Sequence, residues 1–289
     1  MSVARRSVAA GTNVASSGAA GLLSALLAKD RTLVMGILNV TPDSFSDGGR
    51  FLDPERAMAQ ARRMADEGAD ILDIGGESTR PYVGMTPVSL EDELGRLAPI
   101  LPQVLAIGIP VSIDTIKAKV AVWALDLGAN MVNDVWGLQR DPDMARVVAD
   151  HGVPVIVMHN RASVDPAIDI VADMMAFFER SLEVAARAGI AREAIMLDPG
   201  IGFGKTPEQS MTAIARLDAL DRFGLPILIG ASRKRFINQV VPTEPIERLP
   251  GSLAAHLLAV QNGAAIVRTH DVAETVQALR VAAAIRNAR

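Results

Sequence analysis

The sequence predicts a single-domain α/β protein in which eight parallel strands, each followed by helix, close into a (β/α)8 TIM barrel. Three observations carry that expectation. Eight short apolar runs rich in Val, Ile and Leu recur along the chain, as strands buried on both faces do. Between them lie stretches long enough for amphipathic helices, several closing in Gly-Ala just before the next run, where a helix C-cap belongs. No linker or low-complexity stretch interrupts residues 33 to 289, and barrels of this kind use about 250 residues as one unit.

Taken in order, residues 1–30 read as an N-terminal extension, partly flexible, ending in a short helix over "GLLSALLA" from Gly21. Residues 31–289 read as the barrel. Its strands are expected at "LVMGILNV" from Leu33, "ILDIGG" from Ile71, "PVSIDT" from Pro110 and "MVNDV" from Met131, then "PVIVMH" from Pro154, "IMLDPG" from Ile195, "PILIGAS" from Pro226 and "AAIVRTH" from Ala264. Helices are expected over "PERAMAQARRMADEGA", "AIDIVADMMAFFERSLEVAARAG" and "PIERLPGSLAAHLLAVQNGA", whose apolar residues recur at helical spacing. The apolar stretch 97–113 carries Pro99, Pro102, Gly108 and Pro110, which break any membrane-spanning helix. Arg5-Arg6 and the uncharged residues after them resemble a leader, but "AAGTNVASSGAAG" is too polar and glycine-rich for its apolar region.

Composition narrows the function. A net charge of −4 and 3% aromatic residues leave neither a basic footprint nor a stacking platform, so no nucleic-acid partner is expected. Zero cysteines exclude disulfides, thiolate metal sites and thiol nucleophiles. That usage fits a reducing compartment, and a cytoplasmic protein with no membrane partner is expected.

Nearly every apolar run ends in a polar residue: Asn39, Asp73, Asp114, Asn133 with Asp134, His159, Asp198, Ser232, and Arg268 with His270. In a parallel barrel all strand C-termini lie on one face, so these residues would gather around one mouth. Side chains alternate along a strand; Ser112 and Asp114 share a side, as do Arg268 and His270, whereas Asn133 and Asp134 point oppositely. Asn133 is expected to face the mouth.

Asp114, Asn133 and Asp198 supply acceptors suited to adjacent N–H donors, such as the amino-pyrimidinone edge of a pterin or guanine. Arg268, His270 and Asn39, with the glycines of "SDGG" and a divalent cation, suit an anionic group such as diphosphate. Ser232 precedes "RKRFI", where its hydroxyl and the following amides would cap a helix and receive a carboxylate or phosphate; Lys234 lies on the same rim. His151 reads as a helix-end residue and His256 as a packed one.

The stretch "DPGIGFGKT" from Asp198 looks like a P-loop, but the pattern G-x-x-x-x-G-K-[ST] requires glycine where Pro199 stands. With four histidines, no H-E-x-x-H pair and no G-x-S-x-G elbow, neither a zinc hydrolase nor a serine hydrolase is indicated.

Seven segments, in order and across nearly the whole chain after residue 30, resemble the dihydropteroate synthase family of pterin-binding proteins. They are "MGILNVTPDSFSDGGRF" (35–51), "GADILDIGGESTRP" (68–81), "VSIDT" (111–115), "NDVWGL" (133–138), "DPGIGFGKT" (198–206), "IGASRKRFI" (229–237) and "GSLAAHLLAVQNGAAIVRTHDV" (251–272). The resemblance implies a transferase of folate biosynthesis, the target of sulfonamides, that joins 6-hydroxymethyl-7,8-dihydropterin diphosphate to p-aminobenzoate with Mg²⁺ assisting departure of diphosphate. It implies that Asp114, Asn133, Asp198 and Lys234 hold the pterin, with Met158 and Phe203 packed beside it. Asn39, Arg268 and His270 would bind the diphosphate, Asn39 also the metal, with Thr79 at the junction. Ser232 would receive the p-aminobenzoate carboxylate, and mobile loops would bring Asp43, Phe45, Arg80 and Pro81 over the reacting carbon. Asp114, Lys234, Arg268 and His270 are the residues expected to act in the chemistry, and a homodimer is the expected assembly.

Two departures stand out: Tyr82-Val83-Gly84-Met85 follows "STRP" where the family has Gly-Ala, and Asn238 follows "RKRFI" where it has Gly. Two other readings compete. A methyl-tetrahydrofolate-binding methyltransferase barrel would have no diphosphate to hold, so "SFSDGG" and "RTHDV" weigh against it. A non-catalytic pterin-binding paralogue would not need the full set of Asn39, Asp114, Lys234, Arg268 and His270.

Overall fold

The computed structural model describes residues 19–41, 53–77 and 88–288. Eight parallel strands close in sequence order, β1 (Leu33–Asn39), β2 (Ile71–Gly75), β3 (Val111–Asp114), β4 (Met131–Asp134), β5 (Val155–Met158), β6 (Ile195–Asp198), β7 (Ile227–Ile229) and β8 (Ala264–Thr269). Closure comes from β1 pairing with β8, Met35 opposite Arg268. The expected (β/α)8 barrel is the fold.

Alternation within each strand makes two cores. Val34, Leu72, Val111, Val132, Val155, Leu197, Ile227 and Val267 face outward into the shell of helices. Leu33, Met35, Ile71, Met131, Ile156, Met196, Leu228 and Ile266 fill the interior, packed as side-chain layers rather than lining a pore.

The helices start where the sequence supplies caps. Helix α2 (Pro54–Asp66) has Asp53 accepting from the amides of Glu55 and Arg56, and it buries Ala57, Met58, Ala61 and Met64 on one face. The long helix α7 (Ile170–Ala188) is capped by Asp169 and stops at Gly189, which takes φ 86°; only glycine accepts that geometry cheaply. Helix α8 (Pro207–Ala215) opens on a reciprocal capping box between Thr206 and Gln209. The intervening helices are α3 (Leu90–Leu97), α4 (Leu101–Leu105), α5 (Ala118–Asp126) and α6 (Met144–His151), and the last three are α9 (Arg235–Val240), α10 (Leu249–Gln261) and α11 (Val272–Asn287). Among the described residues no helix is long and apolar enough to cross a membrane. Stretch 97–113 divides between α3, α4 and β3.

Helix α1 (Ala19–Leu27) plugs the floor of the barrel. Leu23 and Leu26 are buried in the same cluster as the interior strand residues. The turn after it is stapled by the buried Asp70, which accepts from Lys29 Nζ at 2.6 Å, Arg31 Nη2 at 2.7 Å and the Val34 amide at 3.0 Å. Burial alone would raise the Asp70 pKa, but Arg31 and Lys29 hold it below the usual carboxylate range.

Candidate active site at the carboxyl ends of the strands

The mouth opposite α1 is built by the last inward residue of each strand. Strand pairing sets Asp114 beside Asn133 and Met158 beside Asp198, while Asn39 pairs with Gly75. Asn133 faces inward, as parity requires, and donates from Nδ2 to Asp73 Oδ2 at 3.0 Å. Asp134 turns the other way and takes the amides of Trp136 and Leu138 at 2.9 and 2.8 Å, fixing the β4–α6 turn.

Arg268 crosses the floor of the mouth. Its Nε donates to Asp73 Oδ2 at 2.6 Å and its Nη2 to Asp114 Oδ2 at 2.8 Å. Burial opposes the charge of Arg268, but Asp73 and Asp114 hold its pKa above the ordinary value. Burial raises the Asp114 pKa and Asp73 adds to the rise, while the Arg268 guanidinium bound to it favours the ionised carboxylate. Asp73 Oδ1, Asp114 Oδ1, Asn133 Oδ1 and Ser112 Oγ are buried with no hydrogen-bond partner among the described residues. Buried polar atoms are normally paired, so a cluster of unpaired acceptors on one rim is a site prepared for a ligand carrying N–H donors.

Asp198 supplies a further buried acceptor. Its Oδ1 takes the Gly200 amide at 2.7 Å. Burial raises its pKa, opposed by that amide and by Arg268, Lys234 and Lys205. Met158, Phe203 and Val135 form a small apolar cluster edged by Ile116 and Trp136, and Lys234 Nζ sits 4.2 Å from the centre of the Phe203 ring. A flat heterocycle finds there one apolar wall, a cation and several acceptors. Ile116 and Trp136 were not legible as part of this wall, because both lie in turns with no period to assign their faces.

Ser232 and His270 meet across the ends of β7 and β8. Ser232 Oγ lies 2.9 Å from His270 Nδ1 and accepts the His270 amide at 3.2 Å. The expected helix cap at Ser232 is corrected: α9 starts two residues later, with Lys234 at its N-cap position and no side-chain cap. Arg233, held at φ 55°, ties this corner down through Asp271 and the Ser252 hydroxyl. Asn238 accepts the Thr243 amide at 3.0 Å and closes the turn after α9.

His159 is also corrected. Strand β5 ends at Met158, so His159 falls on the opposite side and lies buried behind the wall, edge-on to Phe177 at 4.9 Å. Its Nδ1 is 2.6 Å from Lys205 Nζ and its Nε2 3.0 Å from Asp173. The lysine of "GFGKT" is therefore buried inside the loop, donating to the carbonyls of Gly200 and Phe203 at 2.9 and 3.2 Å, where a P-loop lysine would reach for phosphate. His151 closes α6 and His256 is buried in α10. Asp43, Phe45, Thr79, Arg80, Pro81 and Tyr82 lie outside the described residues.

The sequence matches the pterin binding enzyme family over residues 35–270. It is 44% identical over 265 residues to a dihydropteroate synthase of Bacillus subtilis (strain 168), covering 91% of this chain and 92% of the relative. The solved structure of a dihydropteroate synthase from Clostridium difficile in the presence of pteroic acid superimposes with a TM-score of 0.84 at 48% identity, over 88% of this chain and 97% of that one. The Xanthomonas albilineans dihydropteroate synthase with 4-aminobenzoic acid gives a TM-score of 0.84 at 46% identity, over 89% and 94% of the two chains. Long motifs, a shared barrel and identity sustained over about nine tenths of the chain converge on one conclusion: this chain belongs to the pterin binding enzyme family, among the dihydropteroate synthases.

Proposed function

We propose that the chain is a transferase condensing 6-hydroxymethyl-7,8-dihydropterin diphosphate with p-aminobenzoate to give 7,8-dihydropteroate and diphosphate. The observation that carries this reading is the meeting, on one rim, of unpaired buried acceptors at Asp114 and Asn133 with the cations Arg268 and Lys234. Asp114, Asn133 and Asp198 take the N–H groups of the pterin. Lys234 lies along its edge, and Met158 and Phe203 pack against its face. Asn39, Thr79, Arg268 and His270 hold the diphosphate, and Ser232 takes the p-aminobenzoate carboxylate. Asp43, Phe45, Arg80 and Pro81 would act beside the reacting carbon.

The chemistry follows from where charge develops. Breaking the C–O bond first leaves a cation delocalised over the pterin and a departing polyanion, so carboxylates are needed beside one and cations beside the other. Asp114 stabilises the first; Arg268 and His270 stabilise the second. The guanidinium has five N–H donors, and its contacts to Asp73 and Asp114 use two. The arylamine is already neutral at pH 7, so it needs positioning rather than a strong base.

A magnesium ion fits this donor set. Asn39 offers a hard carboxamide oxygen at the end of β1, and Mg²⁺ is commonly held by one or two protein oxygens plus phosphates and water. Among the described residues no group of three or more His, Asp or Glu could cage a metal alone, so the ion would arrive with the diphosphate. Bound there it would neutralise charge on the leaving group.

We also propose a cytoplasmic homodimer. Exposed Leu258 on α10 and Val281 and Ile285 on α11 are residues that a second copy would cover, and sedimentation of the purified chain tests it. Activity is tested by diphosphate release from the purified chain with both substrates, with and without Mg²⁺. No release in the presence of the metal would sink the reading.

A further inference from the structure

The buried cation in "GFGKT" has no part in the chemistry above, yet it organises the wall that the ring substrate would touch. Lys205 is 6% exposed. Its ammonium donates to the carbonyls of Gly200 and Phe203 and lies 2.6 Å from His159 Nδ1, so its three N–H groups are engaged. These contacts span the turn that carries two ring-facing groups. The Gly200 amide holds Asp198 Oδ1 at 2.7 Å, and the Phe203 ring lies beneath Lys234.

The turn has no slack of its own to set that geometry. Gly200 and Gly204 take φ 65° and 57°. A Cβ on Gly200 would meet the His159 carbonyl oxygen at 1.9 Å, and one on Gly204 the Arg161 Cβ at 2.4 Å. The loop is pressed onto residues 159–161, and Lys205 pins it there. His159 is held in turn, with Nε2 3.0 Å from Asp173, whose other oxygen pairs with Arg161 at 2.8 Å. Burial, with the Lys205 charge, lowers the His159 pKa to about 3. The ring is therefore neutral, accepting at Nδ1 and donating from Nε2 to Asp173.

We infer that Lys205 is a positioning residue of the ring pocket: its ammonium fixes the Gly200–Phe203 turn onto His159 and so sets where Asp198 and Phe203 meet a heterocyclic substrate. The inference rests on the proposed pterin-binding function and deepens it. Burial lowers the Lys205 pKa from 10.5 to about 7, with Asp198 and Asp173 supporting its charge and Lys234 and Arg161 opposing it. Those residues and His159 are the charged and titratable groups that face it. Losing a proton removes one of three donors from a cluster whose acceptors are His159 Nδ1 and the carbonyls of His159, Gly200 and Phe203, so the turn loosens as pH rises through neutrality.

The test uses the full chain and its Lys205→Met and Lys205→Arg variants, titrated calorimetrically with 6-hydroxymethyl-7,8-dihydropterin, whose lack of phosphates removes their titration from the pH series. Lys205→Met is expected to weaken binding at least tenfold while the KM for p-aminobenzoate stays within twofold, and Lys205→Arg to restore most of the affinity. Wild-type affinity is expected to fall between pH 6 and 8.5, and that of Lys205→Arg to fall less, because arginine keeps its proton. If Lys205→Met binds as tightly as wild type, or loses both substrates equally, the inference is overturned. Should Lys205→Met not fold, coincident pH profiles for wild type and Lys205→Arg overturn it. A wild-type chain that does not bind the dihydropterin brings down the functional reading and this inference together; a wild type that binds beside an unaffected Lys205→Met brings down the inference alone.

Discussion

One oxygen of Asp73, Oδ2, accepts from both Arg268 Nε at 2.6 Å and Asn133 Nδ2 at 3.0 Å. The pair Asp73–Arg268 thus joins the acceptor side of the mouth to its cationic side, and it orients the Asn133 amide, whose oxygen has no donor among the described residues. Asp73 is fully buried, and the Arg268 side chain keeps 17% of its exposure. Removing one partner of a buried pair leaves a charge uncompensated, which typically costs about 3–5 kcal/mol. Asp73→Ala is expected to lose stability on that scale, measured by urea unfolding. A change below about 1 kcal/mol would show that Asp114 alone satisfies the guanidinium.

Arg268→Ala tests the opposite partner and needs two measurements. Loss of a donor to the leaving group, by analogy with loss of an oxyanion-hole contact, is expected to add about 2.7–4 kcal/mol to the barrier. The same change strands Asp73 and Asp114 at the floor of the mouth, so the unfolding midpoint is expected to drop as well. Turnover per folded molecule separates the two effects, and if it is unchanged the leaving-group role is wrong.

Parity made much of this site legible. Strand period set Asn133 and Asp134 on opposite sides, with Asn133 expected inward, and it put Ser112 with Asp114. The strand-end reading failed at His159: β5 ends at Met158, and the next side chain along points the other way, behind the wall. The glycines of "GFGKT" announced a tight turn, yet nothing local could say that Lys205 points inward, since only the fold brings His159 alongside it. Asp73 was visible as a polar strand end, but its partners lie 60 and 195 residues away, and no local pattern reaches that far. The same reasoning applies to α1, whose apolar residues are plain while the surface they cover is not.

That surface yields a prediction for the floor. Leu23 and Leu26 are 1% and 4% exposed and close the interior cluster from below. Leu23→Ala removes buried methyl groups and leaves a cavity, which costs about 2–5 kcal/mol in comparable cores. Thermal unfolding of Leu23→Ala is expected to show that loss, with the KM for either substrate unmoved because the mouth lies at the other end. Unaltered stability would mean that α1 merely rests on the barrel.

His256 gives a prediction with a definite sign in pH. It is 1% exposed on α10, and neither ring nitrogen has a hydrogen-bond partner among the described residues. Burial lowers its pKa from 6.5 to about 4, with Asp271 opposing. A base whose folded pKa lies below its unfolded value binds more protons unfolded within that window, so acid favours unfolding. The stability lost to this residue begins as pH falls through 6.5 and is complete below 4, amounting to roughly 3 kcal/mol. His159 adds in the same direction, so the variant His256→Leu isolates the share of His256. Leucine is close in volume and carries no polar atoms to leave unpaired, and such a replacement of a buried unsatisfied group is neutral or stabilising. Urea unfolding at pH 7 and pH 5 is therefore expected to show His256→Leu at least as stable as wild type at the higher pH and distinctly more stable at the lower. Equal losses in both proteins on acidification would assign the acid sensitivity elsewhere.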